Sequence, residues 1–233
     1  MRALAFLATF VGVALVLGVA PAGATRECEG LMVCVSKAGP WVLVPTSSAV
    51  PRKQVEFQLE CPKGYVVAGL DAELSQRAID VSFIAILGSP VSPGVTTARA
   101  VVFVASFVGA SARTASFRPH LGCMPASGGG GRIPTAVQKV LAGHPTTRRV
   151  RTVRVRPGSF AVAQSCTARE RLVDGTHAFG FYTRKPPSAS LASSVSGTLA
   201  FGSDHAVVVV RADAEISGVR AVVQVQAVCA RAR

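Results

Sequence analysis

Along much of the chain apolar and polar side chains alternate one for one, the period of a strand with one buried face. Val55-Glu56-Phe57-Gln58-Leu59-Glu60-Cys61 puts the apolar residues and the cysteine on one parity and Glu56, Gln58 and Glu60 on the other. Phe160, Val162 and Cys166 share a parity in the same way, with Gln164 out of place. Phe117, Leu121 and Cys123 fall together, as do Ala221, Val223, Val225, Ala227 and Cys229, while Arg220, Gln224 and Gln226 face the other way. Each stretch predicts a half-buried strand whose cysteine points inward.

The spacing of these strands repeats. Cys61 to Cys123 spans 62 positions and Cys166 to Cys229 spans 63, so two segments of nearly equal size are bracketed by inward cysteines. A shift of 106 residues lays Ala100-Val101-Val102-Phe103-Val104 on Ala206-Val207-Val208-Val209-Val210, and Cys123 on Cys229, without a gap. Between the brackets, β-branched runs are punctuated by Gly88-Ser89-Pro90, Ser92-Pro93-Gly94, Ser196-Gly197 and Gly202-Ser203-Asp204. That is the rhythm of short strands and turns in a sandwich or barrel.

The expectation is therefore an all-β protein of two tandem related β-sandwich-like units, each with a disulfide between its first and last strands, after a cleaved signal peptide. The predicted segments are a leader at 1–24, an N-terminal segment with a small cysteine loop at 25–49, the first β repeat at 50–126, a connector at 127–150 and the second repeat at 151–233. In the connector, Ser127-Gly128-Gly129-Gly130-Gly131 reads as flexible linker, since it lacks the Gly-Lys-Ser/Thr ending of a phosphate-binding loop. Val137, Val140 and Leu141 allow one short helix before Gly143-His144-Pro145 stops it.

The leader combines Arg2, an apolar run from Leu4 to Ala20 and small residues at Ala22 and Ala24, which predicts cleavage after Ala24. The apolar run is short for a spanning helix, and the mature chain is expected to carry none. No lipobox precedes Cys28 and there is no twin arginine, which favours export without lipid attachment. Cys28, Cys34, Cys61, Cys123, Cys166 and Cys229 all follow that site, and an even number in an exported chain predicts structural disulfides. Fifteen pairings are possible in principle. Cys28 and Cys34 enclose a loop short enough to close on itself.

Charge changes the picture of partners rather than of fold. Lys plus Arg number 25 against 12 Asp plus Glu, a formal balance of +13. Asn is absent, so no N-glycosylation acceptor exists, and the abundance of Ala, Val and Arg reads as the bias of a GC-rich bacterial genome. The charge is densest at Arg148, Arg149, Arg151, Arg154 and Arg156, five arginines within nine residues. Such a cluster can engage an anionic envelope polymer or lipid surface, or it can keep an edge strand soluble and unpaired. Nucleic acid is excluded as the intended partner by export and by the lack of aromatic interleaving.

At its cysteines the chain resembles secreted proteins of actinomycete-type bacteria, built from a repeat that opens Cys-Pro-x-Gly, continues Val-x-Gly-Gly and closes Ala-x-Cys-Ala. The opening is Cys61-Pro62-Lys63-Gly64 with Val67-Ala68-Gly69-Leu70, and the closing form is Ala227-Val228-Cys229-Ala230. The other two corners depart from it, reading Cys166-Thr167-Ala168-Arg169 and Leu121-Gly122-Cys123-Met124. The resemblance implies a β-sandwich-like repeat with a disulfide joining first and last strands, and it carries over no activity. Together with the inward parity it assigns Cys61–Cys123 and Cys166–Cys229, leaving Cys28–Cys34.

No catalytic signature is written in the chain. His120, His144, His177 and His205 stand outside any hydrolase or zincin motif, and no cofactor or metal is implied. His177, His205, Asp174 and Asp204 form the one constellation in the second repeat that could converge on acid–base or metal chemistry. Asp71 and Glu73 lie two apart on a strand, as a polar strand end or a carboxylate pair. Trp41, the only tryptophan, is expected to cover a core edge, and with Tyr65 and Tyr182 it makes too few platforms for carbohydrate stacking. The reading is an exported, non-enzymatic binding or structural protein, outside the cell or at its surface. The alternative is a secreted hydrolase with a site assembled from loop residues of the second repeat.

Overall fold

A computed structural model describes residues 25–31, 33–47, 51–85, 99–126 and 146–231. The leader at 1–24, the turns from Gly88 to Gly94, the glycine run at 127–131, the helix proposed around Val137–Leu141 and His144 lie outside these residues.

The described chain is nearly all β. The N-terminal strands are β1 (Val35–Ala38) and β2 (Trp41–Leu43), followed by β3 (Gln54–Glu60), β4 (Tyr65–Leu74), β5 (Ile79–Ala85), β6 (Ala100–Phe107) and β7 (Ser116–Pro125). Then come β8 (Thr146–Arg154), β9 (Gly158–Ser165), β10 (Glu170–Phe181), β11 (Val195–Phe201), β12 (His205–Ala212) and β13 (Ala221–Arg231). Between β10 and β11 lies one helical turn, α1 (Ala189–Ser193), capped by the Ser188 hydroxyl accepting from the Leu191 N–H. A 3-10 turn at Ala214–Gly218 precedes β13. β8 begins at Thr146, inside the stretch assigned to the connector, and β1 and β2 add strands to the N-terminal segment.

Two three-stranded sheets, β3-β6-β5 and β11-β12-β9, pack against one seven-stranded sheet. In that large sheet β7 is flanked by β4 along one side and by β1 and β2 along the other, and the order continues through β10 and β13 to β8. Every pairing is antiparallel. The pairings β3–β6, β5–β6 and β4–β7 are matched by β9–β12, β11–β12 and β10–β13. Even the register shifts match, falling at Val67/Gly69 in one strand pair and Leu172/Asp174 in the other.

Two cores lie between the layers. The first is built on Val55, Phe57, Leu59, Phe103, Phe117 and Leu121, the second on Val162, Phe181, Val208, Val210, Val223 and Val225. Cys61–Cys123 and Cys166–Cys229 each tie the small sheet to the large one, with Cα separations of 5.7 and 5.6 Å. The third disulfide closes Cys28–Cys34.

The turn after β3 shows why its opening reads as it does. The Tyr65 N–H donates to the Pro62 carbonyl, and Gly64 adopts φ +85°, a left-handed conformation that side chains disfavour. At the matching turn the Glu170 N–H reaches the Thr167 carbonyl without any positive-φ residue, so Arg169 is accommodated there.

Where the two cores meet, the joint is made by β2 and β13. Val42 belongs to the first core while Leu43 packs on the second, and Trp41, whose backbone pairs with that of Phe181, is buried. β13 is buried on both faces: Val223 and Val225 fill the second core, Ala227 packs with the Cys166–Cys229 disulfide, and Gln224 and Gln226 lie against β3. Ala178 and Val222, on that same outer face, join the first core. The two cores thus share one continuous sheet.

Candidate functional site

The sheet is incomplete along one edge of β10. One side of β10 pairs with β13 over its whole length, whereas among the described residues the other meets β2 only through Gly180 and Phe181. The chain then leaves: the Val44 N–H turns to the Ala115 carbonyl (2.8 Å), and Pro45 has no N–H with which to extend the ladder. A cleft of about 630 Å³ opens beside the unpaired stretch from Gly175 to Phe179. Pockets for small molecules run roughly 300–1,000 Å³ and favour junctions between units.

The walls come from both units. Leu43, Val55, Phe179 and Leu199 give apolar surface, and Ala189 and Ala192 present one face of α1. Thr46, Gln54 and Thr114 add polar groups, and the Thr176 hydroxyl is buried with no hydrogen-bond partner among the described residues. Lys53 and Arg113 supply charge; both are exposed, and neither forms an ion pair among the described residues. Among the described residues the lining contains no Asp or Glu.

His177 is also in this lining, its ring meeting Phe179 edge-on with centroids 5.7 Å apart. Burial holds its imidazole below the ordinary histidine value, so it is neutral near pH 7. Ser193, a neighbour in the cleft, donates its hydroxyl to the Ser190 carbonyl (2.9 Å).

The structure does not gather the four second-repeat residues singled out in the sequence. His205 bonds to Asp204, Nδ1 to Oδ1 at 2.6 Å, on the exposed turn before β12. That bond, ahead of the other influences, holds the Asp204 carboxyl below its ordinary value. Asp174 accepts from the Gly175 N–H. Only His177 reaches the cleft, and among the described residues no cluster could hold a metal ion.

Asp71 and Glu73 share a face of β4 and hold the N-terminal segment there. Asp71 accepts from the Arg26 N–H (2.7 Å), and Glu73 lies 3.2 Å from Nε2 of the buried His120. The other ring nitrogen of His120 is 3.7 Å from Glu27, which in turn accepts from the Ser36 hydroxyl. The Glu27 backbone carbonyl rests in a notch left by Gly69 and Gly122, which face each other across β4 and β7. A Cβ at Gly69 would lie 1.6 Å from that oxygen, and one at Gly122 1.9 Å.

The arginine-rich segment is β8, the edge strand of the large sheet, and alternation divides it between two faces. Arg148 turns toward the first unit and forms an ion pair with Glu56, both side chains 14% exposed. Arg149 and Arg151 turn the other way, Arg149 to Glu170 at 2.9 Å and Arg151 to the Ala163 carbonyl at 3.3 Å. Arg154 and Arg156 are exposed and without a partner among the described residues. The segment is therefore part seam and part free charge.

Lys53 and Arg113 escaped the sequence reading because they lie 60 positions apart and neither belongs to a charge run, and only the fold brings them to one cleft. Among the described residues no helix is long and apolar enough to cross a membrane. Compared with known proteins, the chain matches no family model, no curated relative and no solved structure.

Proposed function

We propose that this chain is an exported, non-enzymatic binding protein of two duplicated β units that holds a small ligand in the cleft between them. The observation that carries this is the cleft itself: apolar walls, unengaged polar groups and free cations, open to solvent at the joint of two cores. The matched strand pairings support duplication, and the three disulfides support an oxidising destination. Arg154 and Arg156 would add weak adhesion to anionic envelope polymers or lipid surfaces.

Hydrolysis finds less support. Nucleophilic catalysis needs a hydroxyl or thiol bonded to an oriented base. In the cleft the Ser193 hydroxyl is engaged by Ser190, and the Thr176 hydroxyl has no partner among the described residues. All six cysteines are in disulfides.

A thermal-shift screen of chemically diverse small molecules tests the reading. Some should stabilise the wild-type protein and not an Ala192→Trp variant, in which an indole fills the cleft. If no compound discriminates between the two folded proteins, the reading fails.

A further inference from the structure

We infer that the cleft between Lys53, Arg113 and the open edge of β10 selects a small amphipathic anion, an apolar body ending in a carboxylate or phosphate. This rests on the cleft being the binding site.

Three features of the lining lead to this ligand. Leu43, Val55, Phe179 and Leu199 form a wall that water solvates poorly, and an apolar body covers it at roughly 25 cal/mol per Å² buried. Lys53 and Arg113 stand on the same cleft with no carboxylate in the lining to neutralise them. The remaining polar groups, among them Gln54 and the Thr176 hydroxyl, can donate hydrogen bonds to an acceptor head group.

Competing ligand classes fail on the same residues. A cationic amphiphile would meet two like charges. A neutral one would cover the wall and partly desolvate Lys53 and Arg113 without supplying a counter-charge, which costs binding energy. A purely polar anion would satisfy the cations and leave the apolar wall wet. An amphipathic anion meets all of these demands. Arginine's planar guanidinium adds a bidentate fit to carboxylate or phosphate. The overall charge of +13 draws such ligands in from a distance.

The test is calorimetric titration of the disulfide-intact protein with octanoate, octyl phosphate, 1-octanol and octyltrimethylammonium, each below its aggregation threshold. The two anions should bind one per chain, roughly tenfold or more tighter than the neutral and cationic compounds. The preferred anion separates a fatty-acid-like from a phospholipid-like ligand. A Lys53→Gln/Arg113→Gln variant should lose most of that preference while binding 1-octanol as before, and high salt should act likewise. Equal binding of all four head groups, unaltered by that variant, would overturn the anionic class and leave the cleft standing. Anion binding that persists in folded Ala192→Trp, with no chemical-shift change at Thr176 or His177 of the wild-type protein, would overturn the cleft. Absence of binding by any probe would overturn both.

Discussion

The side-chain amide of Gln224 pairs with the backbone of Gln58 as a neighbouring strand would: its Oε1 accepts the Gln58 N–H at 2.6 Å and its Nε2 donates to the Gln58 carbonyl at 3.0 Å. β3 is an edge strand of its own sheet, and its outward carbonyls need partners. Gln226 supplies one to Glu56 (3.1 Å), and the Lys37 ammonium supplies one to Glu60. Three side chains thus close the edge where the two units meet.

Replacing Gln224 by Leu keeps the volume but leaves the buried N–H and carbonyl of Gln58 unpaired. The expected loss is about 2 kcal/mol in urea unfolding, since an unmade buried hydrogen bond costs roughly 1–3 kcal/mol. An unchanged midpoint would mean that water reaches this edge.

The arginines of β8 should separate by role. Arg148→Met strands the Glu56 carboxylate in the seam and should cost about 3 kcal/mol, a loss that Glu56→Gln in the same chain partly restores. Arg154→Gln/Arg156→Gln should leave the unfolding midpoint nearly unchanged and lower retention on an anionic polymer column. A reversal of these two outcomes would return the whole segment to the surface.

Removing Cys166–Cys229 by paired Ala substitutions opens a 63-residue separation. The chain-entropy relation puts the loss at about 4 kcal/mol. Unfolding of the reduced-loop variant, followed by intrinsic fluorescence, measures it; a loss below about 1 kcal/mol would mean the unfolded chain is already constrained.

Two limbs of the stability–pH curve follow, one from burial and one from hydrogen bonding. Folding holds His177 below its ordinary 6.5, so the unfolded chain takes up that proton first. Stability is intact above pH 6.5 and declines from there toward the depressed folded value, and His177→Gln should flatten this limb. Glu27 also lies below its ordinary 4.5: burial opposes ionisation, and the Ser36 hydrogen bond, further hydrogen bonds and the His120 charge together outweigh it. Its contribution is full above pH 4.5 and disappears as pH falls through the depressed value, which Glu27→Gln should abolish. Urea midpoints between pH 3 and 8 resolve the two limbs.

The parity of Phe57, Leu59 and Cys61, and of Val223, Val225 and Cys229, was enough to read strands, inward cysteines and an all-β fold. The opposite parity was legible only as polar. Gln224 and Gln226 carry the same alternation whether their face meets water or another backbone, and only the tertiary joint decides between them. The arginines share that ambiguity, because their division between Glu56, Glu170 and solvent depends on strands distant in sequence. The cleft was illegible for a different reason: it arises where the ladder between β10 and β2 stops at Val42, and two cations 60 positions apart leave no periodic trace.

β2 pairs with β7 through Val42 and Leu43 and with β10 through Trp41 and Val42, so both of its neighbours are synthesised after it. β7 completes the first of these pairings, and the second waits for β10. The joint can therefore close only once the chain has emerged as far as Phe181. A chain stopped short of β10 could build β2 onto β7 and would still lack the wall from Gly175 to Phe179, and with it the cleft.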